Sequence, residues 1–251
     1  MKKILIATVA AVAMASGAAS AADMSMPMKA AVMPAPTYSW TGCYLDGGGG
    51  YGTTNLSHYG ETIPAGTALT PEFTAGGRGY YGTVGGGCDY QFPVGGLGNF
   101  VVGVLGGYDF MSLKGAYESA FTTTSNYEKE TGSWDIGGRV GYLVTPNFLT
   151  YMSGGYTQAR FSAMNGFTPG FATSALPGNT YHGWFLGGGA ETSLSPWLPT
   201  GFFLRSDYKF STYSPADLQY TVAGVPNGFG EHINPYVQQI GTELIYRFNY
   251  H

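Results

Sequence analysis

The segment WDIGGRVGYLVTPNFLTYMSGGYT (residues 134–157) decides the fold class of this 251-residue chain. The two charges in its first half, Asp135 and Arg139, share one parity. Large apolar side chains occupy the other parity before the Thr-Pro-Asn at 145–147, and alternate again after it. These are Trp134, Ile136, Val140, Tyr142, Val144, Phe148, Met152 and Tyr156. Successive side chains of a strand point to opposite faces, so this period of two predicts two β-strands, and the short connection predicts a hairpin.

The same alternation recurs along most of the chain. It defines eight runs, at residues 40–53, 80–92, 100–111, 134–144, 148–157, 184–194, 202–210 and 236–248. Every charge inside these runs falls on the parity opposite to the apolar residues. These charges are Asp46, Asp89, Asp109, Asp135, Arg139, Glu191, Arg205, Asp207, Lys209, Glu243 and Arg247. A charge that faces lipid costs roughly 2–4 kcal/mol in a membrane barrel, so the parity predicts that these residues line a lumen.

The connections between the runs alternate in length. Short ones contain Pro, Gly or Asn and lie at 93–98, 145–147 and 195–200; long polar ones lie at 54–76, 112–131, 158–181 and 211–233. Short periplasmic turns and long extracellular loops are typical of outer-membrane barrels. The pattern predicts an all-β fold, a transmembrane up-and-down antiparallel β-barrel of about eight strands over residues 38–251. An even number of strands would place both termini in the periplasm.

The composition favours a membrane barrel over a soluble domain. Charged residues make up only 10% of the chain, against about 25% in typical soluble domains, and there are 41 glycines. After the N-terminal segment no apolar stretch is long enough for a membrane helix, and the mean hydropathy is −0.02. The net charge of −4 argues against a nucleic-acid partner. A secreted Gly- and Tyr-rich β protein is the alternative.

The N-terminal residues resemble an export signal. Lys2 and Lys3 precede an apolar stretch from Ile4 to Ala15, and Ala19-Ser20-Ala21 supplies a small-x-small cleavage pattern. This pattern predicts a signal peptide at 1–21 and a flexible periplasmic leader at 22–37. The expected location is the outer membrane of a Gram-negative bacterium.

Several motifs resemble the small porin-like outer-membrane β-barrel family that includes the outer-membrane immunogenic proteins. They are WTGCYLDGGGGYG (40–52), GGCDYQF (86–92), GGRVGYLVTPNFLTYMSGG (137–155), GWFLGGGAETSL (183–194), LRSDYKF (204–210) and ELIYRFNY (243–250). The resemblance implies an integral, surface-exposed envelope protein surrounded by outer-membrane lipid and lipopolysaccharide. Leu244, Tyr246 and Phe248 resemble the C-terminal signal that the barrel-assembly machinery reads, although the chain continues to His251. Leu105 and Gly107 depart from the family, where acidic lumen residues are expected.

The two cysteines suggest a disulfide. Cys43 lies near the start of the first run and Cys88 near the end of the second, on the same face. Opposed residues of neighbouring antiparallel strands can be close enough for a bridge, and the exported environment is oxidising. The alternative is two separate small side chains on the lipid face.

Three functions fit these patterns. A structural or surface barrel would have its lumen filled by paired charges, because about eight strands leave an interior just wide enough for side chains. A passive porin-like channel for ions or small solutes is the second. The third is an envelope enzyme or a surface haem or metal binder. It is suggested only by the four histidines, His58, His182, His232 and His251, of which the first three are in or beside predicted loops. No G-x-S-x-G motif occurs, so the sequence predicts a non-enzyme without catalytic, metal or cofactor residues.

Overall fold

A computed structural model describes residues 39–118, 125–166, 174–195 and 197–248. Within these residues the chain forms twelve strands. They are β1 (Gly42–Thr62), β2 (Thr67–Ala68), β3 (Phe73–Val94), β4 (Gly98–Glu118), β5 (Ser125–Thr145), β6 (Phe148–Phe161), β7 (Met164–Gly166), β8 (Ser174–Leu176), β9 (Asn179–Ser193), β10 (Phe202–Tyr213), β11 (Ala216–Val222) and β12 (Val225–Arg247). In this part of the chain no helix has the length and apolar character needed to cross a membrane. The predicted signal peptide and leader lie outside the described residues.

Eight strands close into a barrel. The ring runs β1, β3, β4, β5, β6, β9, β10 and β12, and every neighbouring pair is antiparallel. The last strand returns to the first, with a continuous register from Tyr44 opposite Arg247 to Thr62 opposite Phe229. Closure pairs both edges of the sheet, so no edge of the ring remains open. The predicted up-and-down barrel of eight strands is confirmed.

The two ends of the barrel differ. At one end, here called the turn end, β3 joins β4 and β5 joins β6 through short turns, and β1 begins beside the end of β12. At the other end, the loop end, the connections from β1 to β3, from β6 to β9 and from β10 to β12 carry the small strands β2, β7, β8 and β11.

The predicted long loops are mostly strand, which corrects the sequence interpretation. For example, β1 continues through 54–62 and β12 already begins at Val225. Along this part of β1, Thr54, Leu56 and His58 are buried while the intervening residues are partly exposed. Near the loop end the apolar side chains therefore point inward and the polar ones outward. The alternation persists with its faces exchanged, and for this reason the sequence pattern predicts a polar loop there.

Two aromatic bands encircle the outer face. One lies near the turn end and includes Phe100 against Tyr142, and Phe202 against Tyr246. The other lies further toward the loop end; its ring pairs, in edge-to-face or tilted contact, are Tyr51–Tyr80, Tyr108–Phe110, Trp134–Tyr156 and Trp184–Phe210. Exposed aliphatic side chains such as Val104 and Ile240 lie between the bands. An apolar belt between aromatic girdles is the surface that a bilayer requires.

The interior has three layers. An apolar layer at the turn end consists of Trp40, Tyr44, Val101, Leu143, Leu149, Phe203 and Ile245. A second apolar layer toward the loop end includes Leu56, Met111, Leu113, Phe161, Tyr181, Ile233 and Val237. The eleven sequence-predicted lumen charges lie between these layers.

Candidate functional site in the barrel lumen

The structure places all eleven sequence-predicted lumen charges in the barrel interior. Each side chain belongs to a ring strand and points inward, opposite to the aromatic and aliphatic outer face. Ten of the eleven take part in ion pairs, and Asp207 accepts a hydrogen bond from the Tyr151 hydroxyl at 3.1 Å. Two clusters result, one around Glu191 and one around Lys209.

Glu191 is the centre of the first cluster. Its side chain is 0% exposed and contacts three guanidinium groups. Arg139 donates to Oε1, Arg205 donates to the same oxygen at 2.9 Å through Nε, and Arg247 donates to Oε2 at 2.7 Å. A buried carboxylate needs paired charges and several hydrogen bonds, and Glu191 receives both.

Asp89 connects two of the same arginines. Both its oxygens accept from Arg139, through Nε at 2.9 Å and Nη2 at 2.5 Å, and Arg247 donates to Oδ2 at 2.8 Å. Bidentate pairs of this kind are the strongest and most directional ion pairs in proteins. The cluster therefore ties β3, β5, β9 and β12 together across the lumen.

Aromatic rings support the arginines. The guanidinium carbons of Arg139, Arg205 and Arg247 lie 4.7, 5.0 and 4.9 Å from the centre of the Tyr44 ring. Arg247 also lies 4.7 Å from the Trp40 ring. Cations over aromatic faces at these distances are attracted by the ring quadrupole. The apolar layer at the turn end thus serves as a platform for the charged layer.

Lys209 is the centre of the second cluster. Its ammonium group lies 2.8 Å from Asp109 and 2.6 Å from Asp135. The Gln239 amide also donates to Asp109, at 2.9 Å. The two carboxylates share one cation, so carboxylates outnumber cations in this cluster.

A polar cavity of about 60 Å³ lies between the clusters. Its lining includes five carboxylates, Asp46, Asp109, Asp135, Asp207 and Glu243, but only the cations Arg205 and Lys209. Leu105 and Gly107, which depart from the family pattern, also line it. A space of this size and polarity can hold several water molecules.

Cys43 and Cys88 form a disulfide in the structure, and the register places them directly opposite each other on β1 and β3. Both lie on the outer face near the turn end. We expect neither thiol of the exported, unreduced protein to react with an alkylating reagent. The Cys43→Ser variant supplies the control, since its remaining Cys88 should be modified. Alkylation of both cysteines without reduction would contradict the bridge.

The residues of the C-terminal signal lie on the outer face of β12. Leu244, Tyr246 and Phe248 are all between 41% and 44% exposed and lie at the turn end. Tyr246 contacts Phe202 on the neighbouring strand and Phe248 beyond the end of its own.

The three histidines in the described residues lie on strands and not in loops, contrary to the sequence interpretation. His58, His182 and His232 lie on β1, β9 and β12, and His58 is buried inside the barrel. The hydroxyl of Tyr156 contacts Nδ1 of His182 at 2.5 Å. His251 lies outside the described residues.

One group of side chains in the described residues has metal-ligand geometry. Glu61, Asp217 and His232 each bring a ligand atom within 4.8 Å of the others, and Nδ1 of His232 lies 2.6 Å from Asp217. The group is on the loop-end extension, beyond the aromatic bands. Burial, followed by the neighbouring Asp217 carboxylate, raises the pKa of the Glu61 carboxyl.

Sequence reasoning missed the polar residues buried near the loop end. Glu130 and Glu231 are 0% exposed, and the Tyr220 hydroxyl donates to Glu231. The sequence pattern predicts loops at these positions because the inward and outward faces of the alternation are exchanged there relative to the lipid-facing runs. Tyr44 could have been found, since it shares the parity of Asp46 in the first run.

A closed eight-stranded barrel with an apolar outer belt and a charged interior defines a transmembrane β-barrel protein. The family model described as the outer membrane protein beta-barrel domain matches residues 7–248. The chain belongs to this family, which confirms the predicted family and the Gram-negative outer membrane as its location.

Relatives and solved structures agree with this assignment. The 31 kDa outer-membrane immunogenic proteins of Brucella melitensis and Brucella suis are each 25% identical over 256 aligned positions, which cover 99% of this chain and 100% of theirs. The outer membrane protein OprG from Pseudomonas aeruginosa is similar in fold, with a TM-score of 0.50 and 12% identity over 83% of this chain and 97% of OprG.

Proposed function

We propose that the chain is a non-enzymatic structural barrel of the outer membrane that displays its loop-end hairpins at the cell surface. The observation that carries the proposal is the filled lumen. A layer of paired charges lies between two apolar layers, and the charges bond to one another across the barrel. The relatives named as immunogenic proteins support surface display.

The layered interior opposes passage of solutes. A hydrated ion would have to pass apolar side chains at both ends and displace arginines that are each held by at least two carboxylates. Eight strands leave an interior that side chains can fill completely. A structural role follows directly from such an interior.

A channel is the second candidate, and the cavity favours it. The cavity is lined by several glycines, among them Gly86, Gly106 and Gly187, which leave space beside the wall. Its five carboxylates exceed its two cations, so any ion path through it would prefer cations.

Planar-bilayer recording of the purified protein distinguishes the two functions. We expect no sustained conductance steps, with a general porin in the same lipid as the positive control. Large, stable steps would contradict the filled lumen. Cation selectivity of such steps would then assign the conduction path to the acidic cavity.

We also propose that Leu244, Tyr246 and Phe248 present the last strand to the barrel-assembly machinery. Their side chains form one apolar row at the turn end, which is the periplasmic end in outer-membrane barrels. Once the barrel has been inserted into the membrane, the same row would contact lipid. Lipopolysaccharide is the partner we propose for the opposite, extracellular side.

A further inference from the structure

The basic residues of the chain have an unusual distribution. Of the eleven, three lie at positions 2, 3 and 29 and four belong to the lumen clusters. The remaining four are Arg78, Lys114, Lys129 and Arg160, here called the basic patch. They lie on β3, β4, β5 and β6, one on each of four consecutive strands.

The register brings the four side chains together. Lys114 is directly opposite Arg78 on one side and Lys129 on the other. Arg160 pairs with Gly132 of β5, three residues along that strand from Lys129. Directly opposed side chains on one face have Cβ atoms about 4.5–5.5 Å apart. The four cations therefore form one continuous patch.

The basic patch is on the outer face. Arg78, Lys114 and Arg160 are exposed. The neighbours of Lys114 and Lys129 in the next row, Leu113 and Glu130, are opposite each other and fully buried inside the barrel. Since adjacent residues of a strand point to opposite faces, the two lysines point outward.

The patch lacks counter-charges among the described side chains. None of its four residues takes part in an ion pair there, although every lumen cation does. Like charges directly opposite each other destabilise a sheet. Two such contacts in one row, Arg78 with Lys114 and Lys114 with Lys129, favour an anion supplied from outside the chain.

The distance of the basic patch from the aromatic band nearer the loop end can be read from the strands. Arg78 is two residues beyond Tyr80 on β3, and Arg160 is four residues beyond Tyr156 on β6, both toward the loop end. At about 3.3 Å per residue these intervals are roughly 7 and 13 Å along strands that are tilted to the membrane normal. The patch is therefore just outside the aromatic girdle. No Lys or Arg lies on the outer face of β9, β10, β12 or β1.

We propose that the basic patch binds the phosphate groups of lipid A, the glycolipid anchor of lipopolysaccharide. The proposal rests on the proposed function, because it requires the loop end to be extracellular. Arginine matches phosphate oxygens in bidentate geometry and lysine provides a point charge. The acyl chains would lie on the aliphatic wall directly below the patch, which includes Val84, Val104 and Ile136.

The test compares lipid A binding by wild-type protein and by the variant Arg78→Gln/Lys114→Gln/Lys129→Gln. Purified protein in nanodiscs of neutral phospholipid is titrated with lipid A and with lipid A whose phosphates have been removed. Binding is followed by native mass spectrometry. A cation near an anionic lipid surface contributes about a fivefold gain in affinity, so the triple variant should bind lipid A on the order of a hundredfold more weakly. Wild-type protein should bind the dephosphorylated lipid as weakly as the variant binds lipid A.

A matched control separates local binding from net charge. Ser57→Asp/Asn227→Asp/Asn234→Asp lowers the charge by the same three units on β1 and β12, where outward Ser57 and Asn234 are directly opposed and Asn227 is exposed. It should keep nearly wild-type affinity. Equal affinity of wild-type protein and the triple glutamine variant, or no preference for phosphorylated lipid A, would overturn the proposal.

Folding and conductance are checked on the same samples. A heat-dependent shift in electrophoretic mobility shows that each variant has closed its barrel. If the triple variant does not close, the single variant Lys114→Gln, at the centre of the patch, should still weaken binding about fivefold, and unchanged binding would overturn the proposal. If the wild-type protein conducts ions but still binds lipid A, the proposed structural function is wrong and the lipid A site stands.

Discussion

Glu191→Gln should destabilise the folded barrel by roughly 3–5 kcal/mol, the cost typical of removing one partner from a buried ion pair. The glutamine has almost the same shape, so the effect isolates the charge. Arg139, Arg205 and Arg247 would keep their positions around a neutral amide. The three buried guanidinium groups would then keep only Asp46, Asp89 and Glu243 as carboxylate partners, so their positive charge would be less well compensated. Urea titration of the protein in detergent micelles, followed by tryptophan fluorescence, measures the free energy of unfolding.

Glu243→Gln is the matched control for Glu191→Gln. Glu243 points into the same lumen but has a single arginine partner, Arg205 at 2.8 Å, and its side chain is 11% exposed. It also belongs to the acidic cavity, where loss of one negative charge relieves repulsion. We therefore expect this change to cost clearly less than Glu191→Gln. Equal effects of the two substitutions would show that Glu191 is not the centre of the network.

The membrane-spanning part of the fold follows from the sequence because lipid imposes a simple rule. A residue such as Ile136 must be apolar if it faces lipid, whereas Asp135 and Arg139 must point inward. Parity therefore gives the strands, their faces and their number without any tertiary information. The same rule explains why the charges could be assigned to the lumen.

The loop-end extensions could not be assigned in this way because water replaces lipid outside them. There the outward residues are polar, as Ser57 is, and the inward residues include Leu56 and Ile233, which pack in the loop-end apolar layer. The period of two is unchanged, but short polar stretches with turn residues also fit loops. The pairing of β1 with β12 up to Thr62 shows that the sheet continues.

The partners of the lumen charges also depend on tertiary structure. Arg205 and Asp46 are 159 residues apart in sequence and meet inside the lumen over the intervening strand β12. That contact requires the number of strands, the register of each pair and the tilt of the barrel together. Parity indicates that both residues face inward, but it does not show that Arg205 also reaches Glu191.

Leu186→Arg should impair membrane insertion, at a cost of roughly 2–4 kcal/mol if the position is near the bilayer centre. Leu186 is 53% exposed on the outer face of β9, between Trp184 and the turn end, where its neighbours on the facing strands are Gly154 and Phe210. An arginine there would contact acyl chains with no carboxylate on that face of the same strand. Insertion into lipid vesicles, measured by the heat-dependent mobility shift as a function of urea, gives the change in folding free energy.

Leu105→Arg tests the opposite face with the same substitution. Leu105 lines the cavity in which five carboxylates exceed two cations, so a new guanidinium there would have anionic partners and room to displace water. We expect it to fold with a cost below that of Leu186→Arg, because an added cation reduces the excess of negative charge beside Asp109 and Asp135. If Leu105→Arg were the more damaging of the two, the assignment of the inner and outer faces, and with it the charged lumen, would be wrong.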